Sequence, residues 1–457
     1  MYPYTEKPWN RGEVKFTNLR AQIAALSVAV AIMIAALVVT SSWLHTAPSA
    51  TTVAGTNPIT HVFVIMKENH AFDNYFGTFP GADGIPPGVS LPDGSGGTVA
   101  PHWIASTSTD DLPHSREAML EAWDNGSNDR FAIVAERWGP GRGYAAMGYY
   151  DERQLPLYWA LARNFTLADR YFQPMFGPTI PNRLFSFAGT NAGLDSNLIV
   201  LSSFDGLTIF DQLAAKGISW RYYSEPSSFH SPLPLYFKTL ASNRAAQGQF
   251  VALNRLFTDI QTGDIAQVTY VDPEDSSTIS EHPAENVSLG ESWTKNLIEL
   301  IMSSSVWSTS AIFLTWDESG GYYDHVPPPQ VDEWGYGFRV PMLVISPYAK
   351  RGSIDHAVMD HTSIMKFIAD NWKLRYVTSR EGSADNMSAT FDFAKLSSST
   401  STAPSMEMRA SPELAAPLVF YRFGPVGGAV PSAVPDSTRP AALSLQPVRQ
   451  DSPKEVR

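Results

Sequence analysis

Apolar residues along the chain follow two distinct spacings. Val62-Phe63-Val64-Ile65-Met66, entered through His61, is a continuous apolar run of the length of a strand buried on both faces. Similar runs predict strands over Ile218–Tyr223, Ala266–Asp272, Ala311–Trp316 and Val340–Ser346. Between them, apolar positions three and four apart predict helices near Arg116–Asp124, Gln154–Asn164, Thr208–Gly217, Gly290–Ser303 and His361–Trp372. Strands that alternate with helices predict an α/β fold, with a largely parallel central sheet and helices on both faces. The Gly- and Pro-rich stretch from Gly77 to Pro101 predicts a long surface loop, and no internal repeat is present.

The two ends depart from this pattern. Arg11, Lys15 and Arg20 precede a run from Ile23 to Val39 whose one polar side chain is Ser27. Basic residues followed by such a run read as an export signal, and this run sits at the lower limit for spanning a bilayer. Two outcomes stay open, an uncleaved anchor and a cleaved signal peptide; Pro48 at the −3 position makes a poor cleavage site. Either would put the later residues outside the membrane, anchored or secreted. The expected organisation is a cytoplasmic basic segment (1–20), the signal segment (21–44), a polar linker (45–57), a folded domain (58–396) and a low-complexity tail (397–457). The tail is rich in Ser, Thr, Pro and Ala.

Composition narrows the chemistry. Within 457 residues the net charge is −12, which argues against a nucleic-acid partner but not against a phosphate substrate, since a bound cation reverses the local field. With no cysteine, disulfides, thiolate nucleophiles and Cys-based metal sites are excluded, so a metal site would need Asp, Glu, Asn, His or hydroxyl ligands. The pattern does not set an oligomeric state.

Two acidic pairs stand out by position: Glu68-Asn69 follows the first buried strand and Asp317-Glu318 follows the Ala311–Trp316 strand. In open parallel sheets, ligands gather at the carboxyl ends of strands, and like charges brought together there need a cation or a proton between them. Solvated turn residues are the plainer reading of the same spacing. The surrounding motifs are long: Glu68-Asn69-His70-Ala71-Phe72-Asp73-Asn74-Tyr75-Phe76-Gly77, Gly177-Pro178-Thr179-Ile180-Pro181-Asn182-Arg183, and Asp317-Glu318-Ser319-Gly320-Gly321-Tyr322-Tyr323-Asp324-His325-Val326.

Over about residues 58–375 these motifs resemble, in order, the bacterial phosphoesterase family of phosphatidylcholine-type phospholipases C and acid phosphatases, a branch of the alkaline phosphatase superfamily. The resemblance implies that Thr179 is the nucleophile, and that Glu68, Asn69, Thr179, Asp317 and Glu318 hold a divalent metal ion (Ca, Mg, Mn, Zn or Fe). It implies that Arg183 clamps phosphate oxygens and that His114, His282 and His230 serve acid/base work or contact the phosphoryl group. His282 lies in a well-matched Glu-His-Pro element, whereas Arg116 stands where the family has Trp in its His-Ser-Trp element. His325 is a candidate to orient a carboxylate, and His361 to cap a helix. Trp103, Tyr149 and Tyr150 are candidates for a lipid or choline contact. The expected activity is hydrolysis of phospholipid or other phosphoester substrates through a phospho-threonine. An acid phosphatase acting on monoesters and a catalytically silent membrane-tethered binding protein are the alternatives.

Overall fold

The computed structural model describes residues 57–199, 204–225, 232–273 and 278–394, all within one compact unit, Met1–Ser405. The expected signal segment, the low-complexity tail and His230 lie outside the described residues. Among the described residues no helix is long and apolar enough to cross a membrane.

Eight strands form the central sheet: β1 (His61–Lys67), β2 (Thr166–Ala168), β3 (Trp220–Ser224), β4 (Phe250–Ala252), β5 (Val268–Asp272), β6 (Ser310–Trp316), β7 (Met342–Ile345) and β8 (Ser353–Asp355). Their order is β8-β2-β7-β6-β1-β5-β3-β4. β1 is central, with Phe63 opposite Ile312 of β6 on one side and Thr269 of β5 on the other, both pairings parallel. β7 is the exception to the expected direction, antiparallel to both β6 and β2.

The principal helices are α1 (Phe72–Phe76), α2 (Arg116–Trp123), α3 (Phe131–Trp138), α4 (Pro156–Asn164), α5 (Thr179–Ala188), α6 (Ile209–Lys216), α7 (Val287–Ser303) and α8 (His361–Trp372). Side chains three apart on a strand point to opposite faces. On β6, Phe313 packs against Phe367 of α8, while Trp316 packs against Tyr158 of α4. The sheet is therefore covered on both sides, which is why its centre reads as unbroken apolar runs. Sequence chemistry sets the ends of the helices. Thr208 and Asp211 close a capping box at the start of α6, and Gly217 ends it at φ 74°. Asp360, rather than the expected His361, caps α8 and leaves the imidazole free for another contact.

Candidate active site

The carboxyl ends of β1, β5 and β6 open onto one small region. The β1–β6 ladder runs on past the strands, since Asp317 donates its N–H to the Lys67 carbonyl (3.1 Å). Asn69 turns the chain sharply at φ 61°, a left-handed conformation that Asn tolerates better than most residues, and donates its N–H to Asp317 Oδ1 (3.1 Å). Gly320, at φ 64°, lies so close that an added Cβ would sit 2.2 Å from the Asn69 carbonyl oxygen. The glycine after Asp317-Glu318 thus has a steric reason: the two acidic loops touch backbone to backbone.

α5 supplies the basic partner. The helix begins at Thr179, and Pro181 sits within its first turn. Asn182 fixes this entry by accepting from Met175 N–H (3.0 Å) and donating to the carbonyls of Gly177 (2.7 Å) and Pro178 (3.0 Å). Thr179 and Arg183 are four residues apart and share a helix face. The Arg183 guanidinium is buried among carboxylates: Asp317 Oδ2 at 3.0 Å, Glu68 Oε1 at 3.3 Å and Asp272, with a further bond to the Lys67 carbonyl (3.3 Å). The resemblance implies a phosphate clamp for Arg183, and these bonds go elsewhere. Its donors are directed to acidic side chains, and a guanidinium so deeply buried is stable only with such partners.

Asp272 is an acidic residue that sequence reasoning passed over. Its signal was the one used for Glu68 and Asp317, a carboxylate at the end of a parallel strand.

Charge and unsatisfied atoms test whether a cation fits. Glu68, Asp272, Asp317 and Glu318 are all buried around the one Arg183 guanidinium. Burial first, and the Asp317 charge second, push the Glu318 carboxyl well above the usual range. Glu318 Oε2 is anchored by the Gly320 N–H (2.7 Å), but its Oε1 has no hydrogen-bond partner among the described residues. The Asn69 side-chain oxygen, Oδ1, is likewise buried and unpartnered among them. Buried acidic oxygens left over in this way match the hard-cation donor set expected from Glu68, Asn69, Asp317 and Glu318.

His114 and His282 come together beside this cluster, their rings 6.0 Å apart. His114 Nδ1 donates to the Leu112 carbonyl (2.7 Å), which leaves Nε2 facing Asn69 Nδ2 (3.5 Å) and Glu318 Oε1 (4.0 Å). Burial, partly offset by Asp111, lowers the His114 pKa and keeps the ring neutral. Asp111, also unassigned from the sequence, forms with His114 and His282 a group whose spacing could hold a metal ion.

The remaining candidates separate by position. His361 donates from Nε2 to the Asp317 carbonyl (2.9 Å) and pairs through Nδ1 with the Tyr171 hydroxyl (2.9 Å), and burial pushes its pKa down to about 4. It therefore steadies the Asp317 backbone as a neutral ring. His325 does orient a carboxylate, but that of Asp73 (2.7 Å), in a separate buried group with Asp324 and Arg339. The face of Trp103 is covered by the Arg153 guanidinium (3.6 Å) and Tyr150 is fully buried, so these rings do not form an open cage.

An open, mostly parallel sheet with oxygen donors gathered at its carboxyl edge is the ligand-site architecture of an α/β enzyme. The chain belongs to the Phosphoesterase family, whose pattern it matches over residues 59–375. It is 30% identical over 379 residues to the non-hemolytic phospholipase C of Pseudomonas aeruginosa, covering 68% of this chain and 53% of that protein. The chain thus spans about half the length of that relative. It is 28% identical over 410 residues to phospholipase C B of Mycobacterium tuberculosis, covering 74% of this chain and 78% of that one. Among solved structures, it is similar to a protein in the alkaline phosphatase superfamily from Vibrio parahaemolyticus, at a TM-score of 0.38 and 8% identity over 72% of this chain and 70% of that one.

Proposed function

We propose that this protein is a metal-dependent phosphoesterase of the phospholipase C type, cleaving phosphatidylcholine-like phospholipids through a phosphorylated Thr179. The observation that carries this reading is the convergence of Glu68, Asp272 and Asp317 on Arg183, one helical turn from Thr179, with unpartnered oxygens of Glu318 and Asn69 beside them. The names of the relatives support the phospholipase C choice over a monoester phosphatase.

Glu68, Asn69, Asp317, Glu318 and Thr179 are the residues that would hold the cation. When bound, a divalent ion there would polarise a phosphoryl oxygen and make the threonine hydroxyl more acidic. Arg183 pairs with two of these carboxylates, Glu68 and Asp317, and with Asp272 beside them, and Asn69 is oriented by the bond from its backbone to Asp317. Thr179 Oγ1 attacks phosphorus, its proton passing to the free Nε2 lone pair of neutral His114. His282, which is partly open to solvent, gives a proton to the departing alcohol oxygen. Water then attacks the phosphorylated threonine, the histidines run in reverse, and the phosphorylated head group leaves. The basic residues before the Ile23–Val39 run support an exported enzyme, anchored or secreted.

Thr179→Ala tests the assignment. Turnover of phosphatidylcholine, sphingomyelin and p-nitrophenyl phosphate should fall to background with the melting temperature nearly unchanged. Turnover close to wild type would remove Thr179 from the chemistry.

A further inference from the structure

Glu281 has no part in the steps above, yet several site elements converge on it. Its carboxylate is fully buried. Lys67 Nζ lies 3.1 Å from Oε1, and the Tyr158 hydroxyl donates to the same oxygen (2.5 Å). The Tyr75 hydroxyl (2.9 Å) and the Trp316 indole N–H (3.1 Å) donate to Oε2. Four donors, one of them cationic, replace the water this charge has lost and fix the side chain in place. The backbone is held as well. His70 Nε2 donates to the Glu281 carbonyl (2.9 Å), the Glu285 carboxylate accepts the Glu281 N–H (3.0 Å), and φ is 72°. Gly290 leaves the space for this side chain, since a Cβ there would lie 2.3 Å from Glu281 Cγ.

These donors belong to the site. Lys67 immediately precedes Glu68, and Trp316 immediately precedes Asp317. The neighbouring backbone is joined too, Glu68 donating its N–H to the Ser280 carbonyl (3.0 Å). One buried carboxylate therefore links the carboxyl ends of β1 and β6 to the segment that carries His282.

We propose that Glu281 is a positioning residue: its anchorage among Lys67, Tyr75, Tyr158 and Trp316 fixes the left-handed turn that presents His282 to the leaving-group oxygen. This rests on the assignment of His282 as the proton donor. In that step the P–O bond to the alcohol breaks, its electron pair stays on the oxygen, and His282 transfers a proton to it and becomes neutral. An alkoxide needs that proton, whereas p-nitrophenolate departs without it. A misplaced His282 thus leaves a signature that general loosening of the fold does not.

The experiment compares kcat and KM on an alkyl ester and a p-nitrophenyl ester of the same phosphoryl group, for wild type, Glu281→Gln, Tyr158→Phe and His282→Ala, alongside thermal melts. Glu281→Gln should lose about 10²-fold in kcat on the alkyl ester and less than about tenfold on the p-nitrophenyl ester, with KM little changed. Tyr158→Phe removes one donor and no charge; it should shift the same way by about three- to tenfold, and it carries the test if Glu281→Gln does not fold. Equal losses on both esters in these variants, or no loss, overturn the positioning role alone. A His282→Ala variant without leaving-group dependence overturns the acid assignment, and the inference with it.

Discussion

Replacing Gly320 by alanine should disable the site through one backbone contact. The residue sits at φ 64°, where an alanine costs about 1–2 kcal/mol relative to its preferred conformations. The new Cβ would lie 2.2 Å from the Asn69 carbonyl oxygen and 2.8 Å from its carbon, and ordinary contact begins near 3.4 Å. The partner is backbone, so Asn69 itself must retreat by about 1 Å. A shift of that size at a proposed ligand position costs about 10²-fold in rate, and the combined strain about 2–4 kcal/mol in stability. Gly263→Ala is the control: φ is 78° but nothing lies within 4 Å, so it should lose about 1 kcal/mol and no activity. Denaturant unfolding, turnover and bound-metal content would be measured on both. Gly320→Ala with wild-type turnover and metal content would refute the claim that the two acidic loops fix each other.

Other expectations follow from the same structure. Arg183→Met leaves Glu68, Asp272 and Asp317 buried without their guanidinium and should cost at least about 3 kcal/mol in denaturant unfolding; a loss under about 1 kcal/mol would mean those charges are compensated elsewhere. Burial raises the Glu291 carboxyl to about 8, so folding takes up a proton there; this stabilisation is complete below the unfolded carboxylate pKa and is lost as pH rises through about 8. Glu291→Gln keeps an acceptor for the Leu157 and Tyr158 N–H groups, so it should flatten stability between pH 5 and pH 8; an unchanged pH slope would show that Glu291 is not the titrating group. Stripping the metal with a chelator should lower the melting temperature as well as abolish turnover, and an unchanged melting temperature would argue against a cation among these buried carboxylates.

Much of the sheet was legible because its centre is covered on both faces. β1 and β6 read as unbroken apolar runs for that reason. The edge strands β4 and β8, and β2 next to β8, have three residues each, too few to display a period, and were missed. The reversal of β7 left no trace, since side-chain alternation carries no direction. In the site, Glu68-Asn69 and Asp317-Glu318 were legible as polar residues following buried strands, and the structure brings them together. Asp272 carried a similar mark but ended a strand with no extended motif after it. The direction of Arg183 was not legible, because a guanidinium near a phosphoester site has two natural partners, and only the fold reveals that carboxylates occupy it. Glu281 was legible as part of the Glu-His-Pro element, but its burial was not. Its burial depends on Lys67, Tyr75, Tyr158 and Trp316, four donors scattered over the sequence.

The central claim is that Thr179 is phosphorylated and then hydrolysed, so phosphorus undergoes two in-line displacements. The stereochemical course at a substrate phosphoryl group made chiral with oxygen isotopes reads this directly. Retention of configuration is the predicted result, and inversion would mean that water attacks the substrate in a single step and that Thr179 never carries the phosphoryl group.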